Sequence, residues 1–190
     1  MKTMQPIRDA EVVRKLEKLL EGMEDPRGRR MYLLLMTGCY LGLRISDILK
    51  LKVNDLRGKS VLELKEQKTG KKAQLPIPDK LKRIFRERLE GLPGGSYAFE
   101  SRQRDMYGAH RAITRKTAYN DIKAMGMLAK LDYPLGCHSL RKTFGYHYYK
   151  QSGDIAFLII WFNHSSVEVT KRYIGIDLDE RVKKIKKFEI

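Results

Sequence analysis

The stretch WFNHSSVEVTKRYIGI, residues 161–176, decides how this chain is read. It places Tyr173 nine residues after His164, with a Ser-Ser pair between them. Ser165 with Glu168 fits the S-x-x-E capping box that opens a helix. Tyr173 then falls in that helix, with Val169 and Thr170 one turn behind it. A tyrosine so placed is ordinarily a packed core residue. It becomes a nucleophile only where neighbouring groups take its proton and stabilise the charge that develops. The rest of the chain has to supply those groups.

The 190 residues suit one sizeable domain, or two small ones sharing a core. Lys and Arg number 39 against 23 Asp and Glu, a net charge of +16 with an isoelectric point near 9.8. That excess fits a polyanionic partner, nucleic acid or an anionic membrane surface. The longest apolar run, MYLLLMTGCYLGL at 31–43, is too short to cross a bilayer, so nucleic acid leads. The opening MKTMQPIRDAEVV lacks the apolar core of a signal peptide. Cys39 and Cys137 form no C-x-x-C pair, which excludes a cysteine zinc site and a disulfide framework. Both read as reduced structural residues of a cytoplasmic protein.

Apolar spacing predicts helices over 8–22, 30–41, 44–56, 79–92, 113–131, 138–153, 154–162 and 164–174, with EDPRGRR at 24–30 as a polar loop. Thr114 or Thr117 caps the fifth of these. Between them, SVLELKEQ and AQLPIP alternate in period two around KTGKK, an antiparallel hairpin with Thr69-Gly70 near its tip. Residues 92–111 read as a basic loop. The tail from Leu178 is charged and amphipathic, with Val182 and Ile185 on the same stripe. The fold class is α+β, mainly helical, with one small antiparallel sheet.

Six polar residues stand in awkward contexts: Arg44, Lys68, His138, Arg141, His164 and Tyr173. Each alone has a bland reading. Arg44 can pair with Asp47, Lys68 can be a solvated hairpin lysine, and His164 can flank a helix start. His138 and Arg141 share a helix face at i and i+3, which by itself is a weak signal. Together they fit phosphoryl transfer. Two guanidiniums can clamp the non-bridging oxygens of one phosphodiester and stabilise the charge gathered there. A histidine can take the phenol proton, a lysine can protonate the leaving oxygen, and the tyrosine can attack. The scheme needs no metal and no cofactor.

The order of these residues resembles the tyrosine recombinases of the phage integrase type. TGCYLGLRISDILKLKVNDL is similar to the first arginine box of that family, EQKTGKKAQLPIP to its lysine hairpin, HSLRKTFGYHYY to its second arginine box, and NHSSVEVTKRYIGI to its nucleophile box. The resemblance covers about residues 8 to 176. It implies a tyrosine-recombinase catalytic-domain fold over 1–176, a C-terminal amphipathic tail over 177–190, and no N-terminal core-binding domain. Without that second half of the clamp, weaker DNA affinity is expected. It further implies that Arg44 and Arg141 clamp the phosphate, Lys68 is the general acid, His138 the acid/base, and Tyr173 the nucleophile. His164 assists at the phosphate and Asp47 supports the site. Lys71 and Lys72 are rivals of Lys68, and Tyr146, Tyr148 and Tyr149 are read as core and groove-wall residues. Phe162-Asn163 stands where the family commonly has Leu-Gly, a variation that removes no catalytic group.

The expected activity is site-specific DNA cutting and rejoining through a covalent 3′-phosphotyrosine. The alternatives are a catalytically silent DNA-binding regulator of the same fold and a tyrosine topoisomerase-like enzyme. Expected partners are double-stranded DNA and further copies of the chain in a synaptic tetramer, with no membrane. Arg102, Arg104, Arg111, Arg115 and Lys116, interleaved with Tyr107 and Tyr119, are the candidate DNA contacts. A bacterial or phage-encoded cytoplasmic protein is expected.

Overall fold

The structure is a computed structural model that describes residues 4–65, 70, 72–186 and 188. The centre of the molecule is helix α2, Pro26–Leu41. Every residue from 31 to 38 is buried. A helix apolar on all sides has to be surrounded. α1 (Ala10–Glu21), α5 (Asp79–Arg88), α6 (Arg115–Leu128) and α7 (Ser139–Ser152) pack around it. α2 begins four residues earlier than its apolar pattern predicts. Asp25 accepts hydrogen bonds from the backbone N–H groups of Arg27 and Gly28, and Pro26 takes the first helical position, where a missing N–H leaves no bond unmade. Most of the expected polar loop is therefore a capped helix start.

The helix expected over 44–56 is instead two single turns, α3 (Ile45–Ile48) and α4 (Val53–Leu56). The backbone between them pairs with the 94–98 segment: Ala98 N donates to Leu51 O at 2.9 Å and Val53 N to Ser96 O at 3.0 Å. Those bonds demand an extended chain and break the helix. The two strands pair as expected, β1 (Val61–Lys65) antiparallel to β2 (Lys72–Pro76), with Leu62 opposite Leu75 on the core face, while Thr69 of the expected tip lies outside the described residues. α6 is capped by Thr114, whose hydroxyl accepts from Thr117 N. Asp121, 3% exposed at its side chain, receives Arg27 at 2.9 Å and Arg30 at 2.8 Å, which ties α6 to the start of α2.

A second, aromatic cluster lies under α7, α8 (Ile155–Phe162) and α9 (Val167–Ile174). It is built on Tyr146, Leu158, Phe162, Ile174 and Ile176. Gly145 lets the helices close: a Cβ there would stand 2.6 Å from Ile174 Cγ2 and 2.8 Å from the Phe162 ring. Trp161 joins the two clusters, its indole N–H donating to Leu41 O at 3.0 Å. α10 (Ile176–Ile185) folds back on α9 through a Lys171–Glu180 pair at 3.0 Å. Val182 and Ile185 are exposed. The side chain of Leu178, the third member of the expected stripe, lies outside the described residues. Among the described residues, no helix is long and apolar enough to cross a membrane. The fold class read from the sequence is the one observed.

Candidate active site

The site forms where the two clusters meet. α2 ends on Gly42, in the left-handed region at φ 57°. A Cβ there would also meet the Phe144 ring at 2.4 Å, so both backbone and space require glycine. That cap turns the chain so that Arg44 stands at the extended residue just before α3. Arg141 rises from α7 and is 4% exposed. Its Nη1 donates to Gly42 O at 2.6 Å and its Nη2 to Phe162 O at 3.3 Å. Arg44 Nη2 donates to the same Phe162 oxygen at 3.4 Å. One carbonyl thus gathers both guanidiniums, and the Phe162 ring lies 4.4 Å from the Arg141 guanidinium.

The acceptor is held by the end of α8. Asn163 adopts φ 52°, ψ 53°, the left-handed cap position. Asparagine reaches that region more readily than most residues, so the Phe-Asn variation keeps the turn. His164 follows. Its Nδ1 lies 3.1 Å from Thr170 Oγ1, whose proton goes to Ser166 O at 2.9 Å. Nδ1 therefore carries the donating hydrogen, and in the neutral ring Nε2 holds the lone pair. The cap of α9 is Ser166, accepting from Val169 N, and not Ser165 as the capping-box spacing predicts.

Tyr173, in the last turn of α9, lies in the site of its own chain. Its hydroxyl is 3.4 Å from His138 Nδ1, and its ring packs edge-on against His164 at 5.0 Å and Phe162 at 5.5 Å. Burial pushes the phenol above its ordinary pKa, while a hydrogen bond and charge from Arg141 and the charge of Arg44 pull against it. His138 is held below its ordinary value, first by partial desolvation, then by the cations Arg115, Lys142, Arg141 and Arg44. At neutral pH the pair is a phenol beside a neutral imidazole.

Five of the six residues singled out in the sequence thus converge. Lys68 and its rival Lys71 lie outside the described residues. The other rival, Lys72, lines a cleft of about 530 Å³ together with Ala73 to Leu75, Arg141 and His164. The hairpin therefore borders the site. Asp47 is buried in α3, one turn past Arg44. Arg102 and Arg104 are exposed on the 100–112 loop, whose ends pair Glu100 with Ala112. Arg111 bonds Gln103 of the same loop at 2.7 Å in an exposed setting. Arg115 and Lys116 open α6, with Arg115 in electrostatic reach of His138. Tyr146, Tyr148 and Tyr149 belong to the aromatic cluster. Sequence reasoning did not find the Phe162 carbonyl, Thr170 or Lys142. A main-chain acceptor leaves no trace in residue identity. Thr170 meets His164 across a helix cap, where no fixed spacing applies. Lys142 directly follows Arg141, and adjacency on a helix does not tell which neighbour it meets. No group of three or more His, Cys, Asp or Glu among the described residues is arranged to hold a metal.

A sequence model of the phage integrase family matches residues 10–179. The chain is 37% identical over 179 residues to the probable integrase/recombinase YoeC of Bacillus subtilis (strain 168), covering 94% of this chain and 93% of that protein. Four further curated relatives are longer, and the chain spans 45 to 58% of their length. Among solved structures it superposes on XerA recombinase with a TM-score of 0.69 at 20% identity, over all of this chain and 66% of that one. It superposes on the catalytic domain of bacteriophage HP1 integrase with a TM-score of 0.60 at 20% identity, covering 95% of each. With fold and matched segment in agreement, the chain belongs to the phage integrase family, the tyrosine recombinases.

Proposed function

We propose that this chain is the catalytic domain of a site-specific DNA recombinase that cuts and rejoins strands through Tyr173. The observation that carries the reading is the Tyr173 hydroxyl 3.4 Å from His138 Nδ1, beside two arginines that converge on one acceptor. A phosphodiester entering there would meet both guanidiniums, which would leave the Phe162 carbonyl for its non-bridging oxygens. Tyr173 Oη attacks phosphorus as His138 takes its proton. The P–O5′ bond breaks, and Lys68, from the segment between β1 and β2, protonates the departing 5′-oxygen. A 3′-phosphotyrosine and a free 5′-hydroxyl result. Attack by a 5′-hydroxyl reverses every step, so rejoining consumes no nucleotide. His164 assists at the phosphate, to which Nε2 donates only as the imidazolium because Nδ1–H is committed to Thr170, and Asp47 supports Arg44 from the same turn.

The partner is double-stranded DNA, met by the basic face that includes Arg102, Arg104, Arg115 and Lys116. The functional assembly is a tetramer on two duplexes. Solved structures of the same fold include XerH in a post-cleavage complex with its difH substrate and a lambda integrase tetramer on a Holliday junction. Such a reaction belongs in the bacterial cytoplasm, on a chromosome, plasmid or phage genome.

The test is covalent trapping. The protein is mixed with a library of nicked duplexes that lose a short product after cleavage, beside Tyr173→Phe. A DNA adduct that survives SDS and vanishes in the variant establishes nucleophile and reaction class together. Salt-sensitive DNA binding with no adduct from any duplex would instead favour a silent DNA-binding regulator.

A further inference from the structure

Ahead of α1, residues 4–9 run as a non-helical strap across α7. Its backbone is held at four points by side chains. Lys142 Nζ donates to Met4 O at 2.8 Å and the Tyr133 hydroxyl to Pro6 O at 3.0 Å. Ile7 N donates to Thr143 Oγ1 at 2.9 Å, and Ile7 O accepts from His147 Nε2 at 2.9 Å. Three of those four side chains stand on α7, one or more turns beyond His138 and beside Arg141. The strap also reaches the segment that follows Tyr173. Arg8 Nε pairs with Asp179 of α10 at 3.2 Å, and Gly175 has so little room that a Cβ would stand 3.0 Å from Arg8 Nη2.

Lys142 sits where these contacts meet. It is 9% exposed, and its ammonium lies 5.3 Å from the centre of the Tyr173 ring. A cation held against an aromatic ring and shielded from water attracts it. The Met4 carbonyl fixes where that cation can be. In the reaction scheme this lysine is only one of four cations that hold His138 below its ordinary pKa; its close contacts are instead the Met4 carbonyl and the face of the Tyr173 ring. We propose that Lys142 is a positioning residue: anchored on the strap at Met4, it holds the Tyr173 ring in the site, while the Arg8–Asp179 pair holds the α9–α10 corner behind it. The strap thereby couples the chain ahead of α1 to the seating of the nucleophile. This rests on Tyr173 being the nucleophile, and the test has one arm that does not.

That arm is amide hydrogen exchange on the whole chain, comparing wild type with Lys142→Met, Lys142→Arg and Arg8→Ala. Lys142→Met keeps the stem and removes the charge. Exchange in Val167–Ile185 should rise about tenfold in Lys142→Met and Arg8→Ala while α2 is unchanged, and Lys142→Arg should restore protection. Unchanged exchange overturns the proposal. An equal rise in α2 also overturns it, because Lys142 is then a general fold residue. The second arm uses a nicked duplex that wild type cleaves. Lys142→Met should slow tyrosine-driven cleavage about tenfold. In a Tyr173→Phe background with hydrogen peroxide as substitute nucleophile, the same change should have no effect. Equal losses in both would put Lys142 in the phosphate pocket and overturn its assignment to Tyr173. If wild type forms no adduct with any duplex, the recombinase reading falls and the exchange arm alone decides whether Lys142 seats the Tyr173 segment.

Discussion

At the residue scale the site turns on how two acid–base groups are pushed in opposite directions. His138 sits below its ordinary value near 6.5 because burial and four cations disfavour the imidazolium. Tyr173 sits above its ordinary value because burial disfavours the phenolate. A base must be neutral to take a proton, so His138 is competent at any pH above its depressed pKa. The phenol stays protonated through the neutral range and gives no limb of its own there. The rate of adduct formation in a single turnover should therefore fall on the acid side with a midpoint below 6.5, and be flat from there to pH 8. His138→Gln should lower the plateau at least tenfold and remove the acid limb. A midpoint above 6.5 would mean that a carboxylate or the DNA phosphate overrides the surrounding cations, and would remove His138 as the isolated base.

At the element scale the arrangement depends on helix ends more than on helix middles. Gly42, Asn163 and Ser166 turn the chain where Arg44, His164 and Tyr173 need to stand. Asp121 does comparable work for α6, whose first turn carries Arg115 and Lys116. Its buried carboxylate is shared by Arg27 and Arg30, and Arg30 is itself only 19% exposed. Asp121→Ala leaves a partly buried guanidinium without its partner and should destabilise the fold by about 3 kcal/mol. Urea unfolding would show this as a lower midpoint at unchanged slope; a loss under about 1 kcal/mol would mean that solvent replaces the carboxylate. This scale also marks what was readable in advance. The hairpin, the amphipathic helices and the order Arg44, His138, Arg141, His164, Tyr173 were legible because period and residue type carry them. The early start of α2 was missed because polar Arg27, Arg29 and Arg30 hid a helix opened by Asp25-Pro26. The break after Ile48 was missed because it is made by backbone bonds to residues more than forty positions away. The shared Phe162 carbonyl and the Lys142 contact arise only when the two clusters meet, and no local pattern reports that.

At the scale of the whole molecule, the net charge of +16 can be tied to particular surfaces. Several cations are already paired with carboxylates: Arg27 and Arg30 with Asp121, and Arg8 with Asp179. Arg102, Arg104, Arg115 and Lys116 are exposed on one continuous stretch, from the 100–112 loop to the mouth of α6 beside His138. If a duplex lies across that stretch with its phosphate in the site, each contact made there releases condensed counterions. Affinity should then fall linearly in a plot of log K against log salt. Replacing any one contacting cation should reduce the magnitude of the slope by about 1. Fluorescence anisotropy on a labelled duplex between about 50 and about 200 mM salt measures it directly. Arg104→Ala and Lys116→Ala should each flatten the line and weaken binding similarly on all sequences, because phosphate contacts carry no sequence information. Arg27→Ala should leave the slope nearly unchanged, since its guanidinium is paired with the Asp121 carboxylate. Should Arg27→Ala flatten the line while Arg104→Ala and Lys116→Ala do not, the duplex runs across a different face, and the order of the slopes will say which.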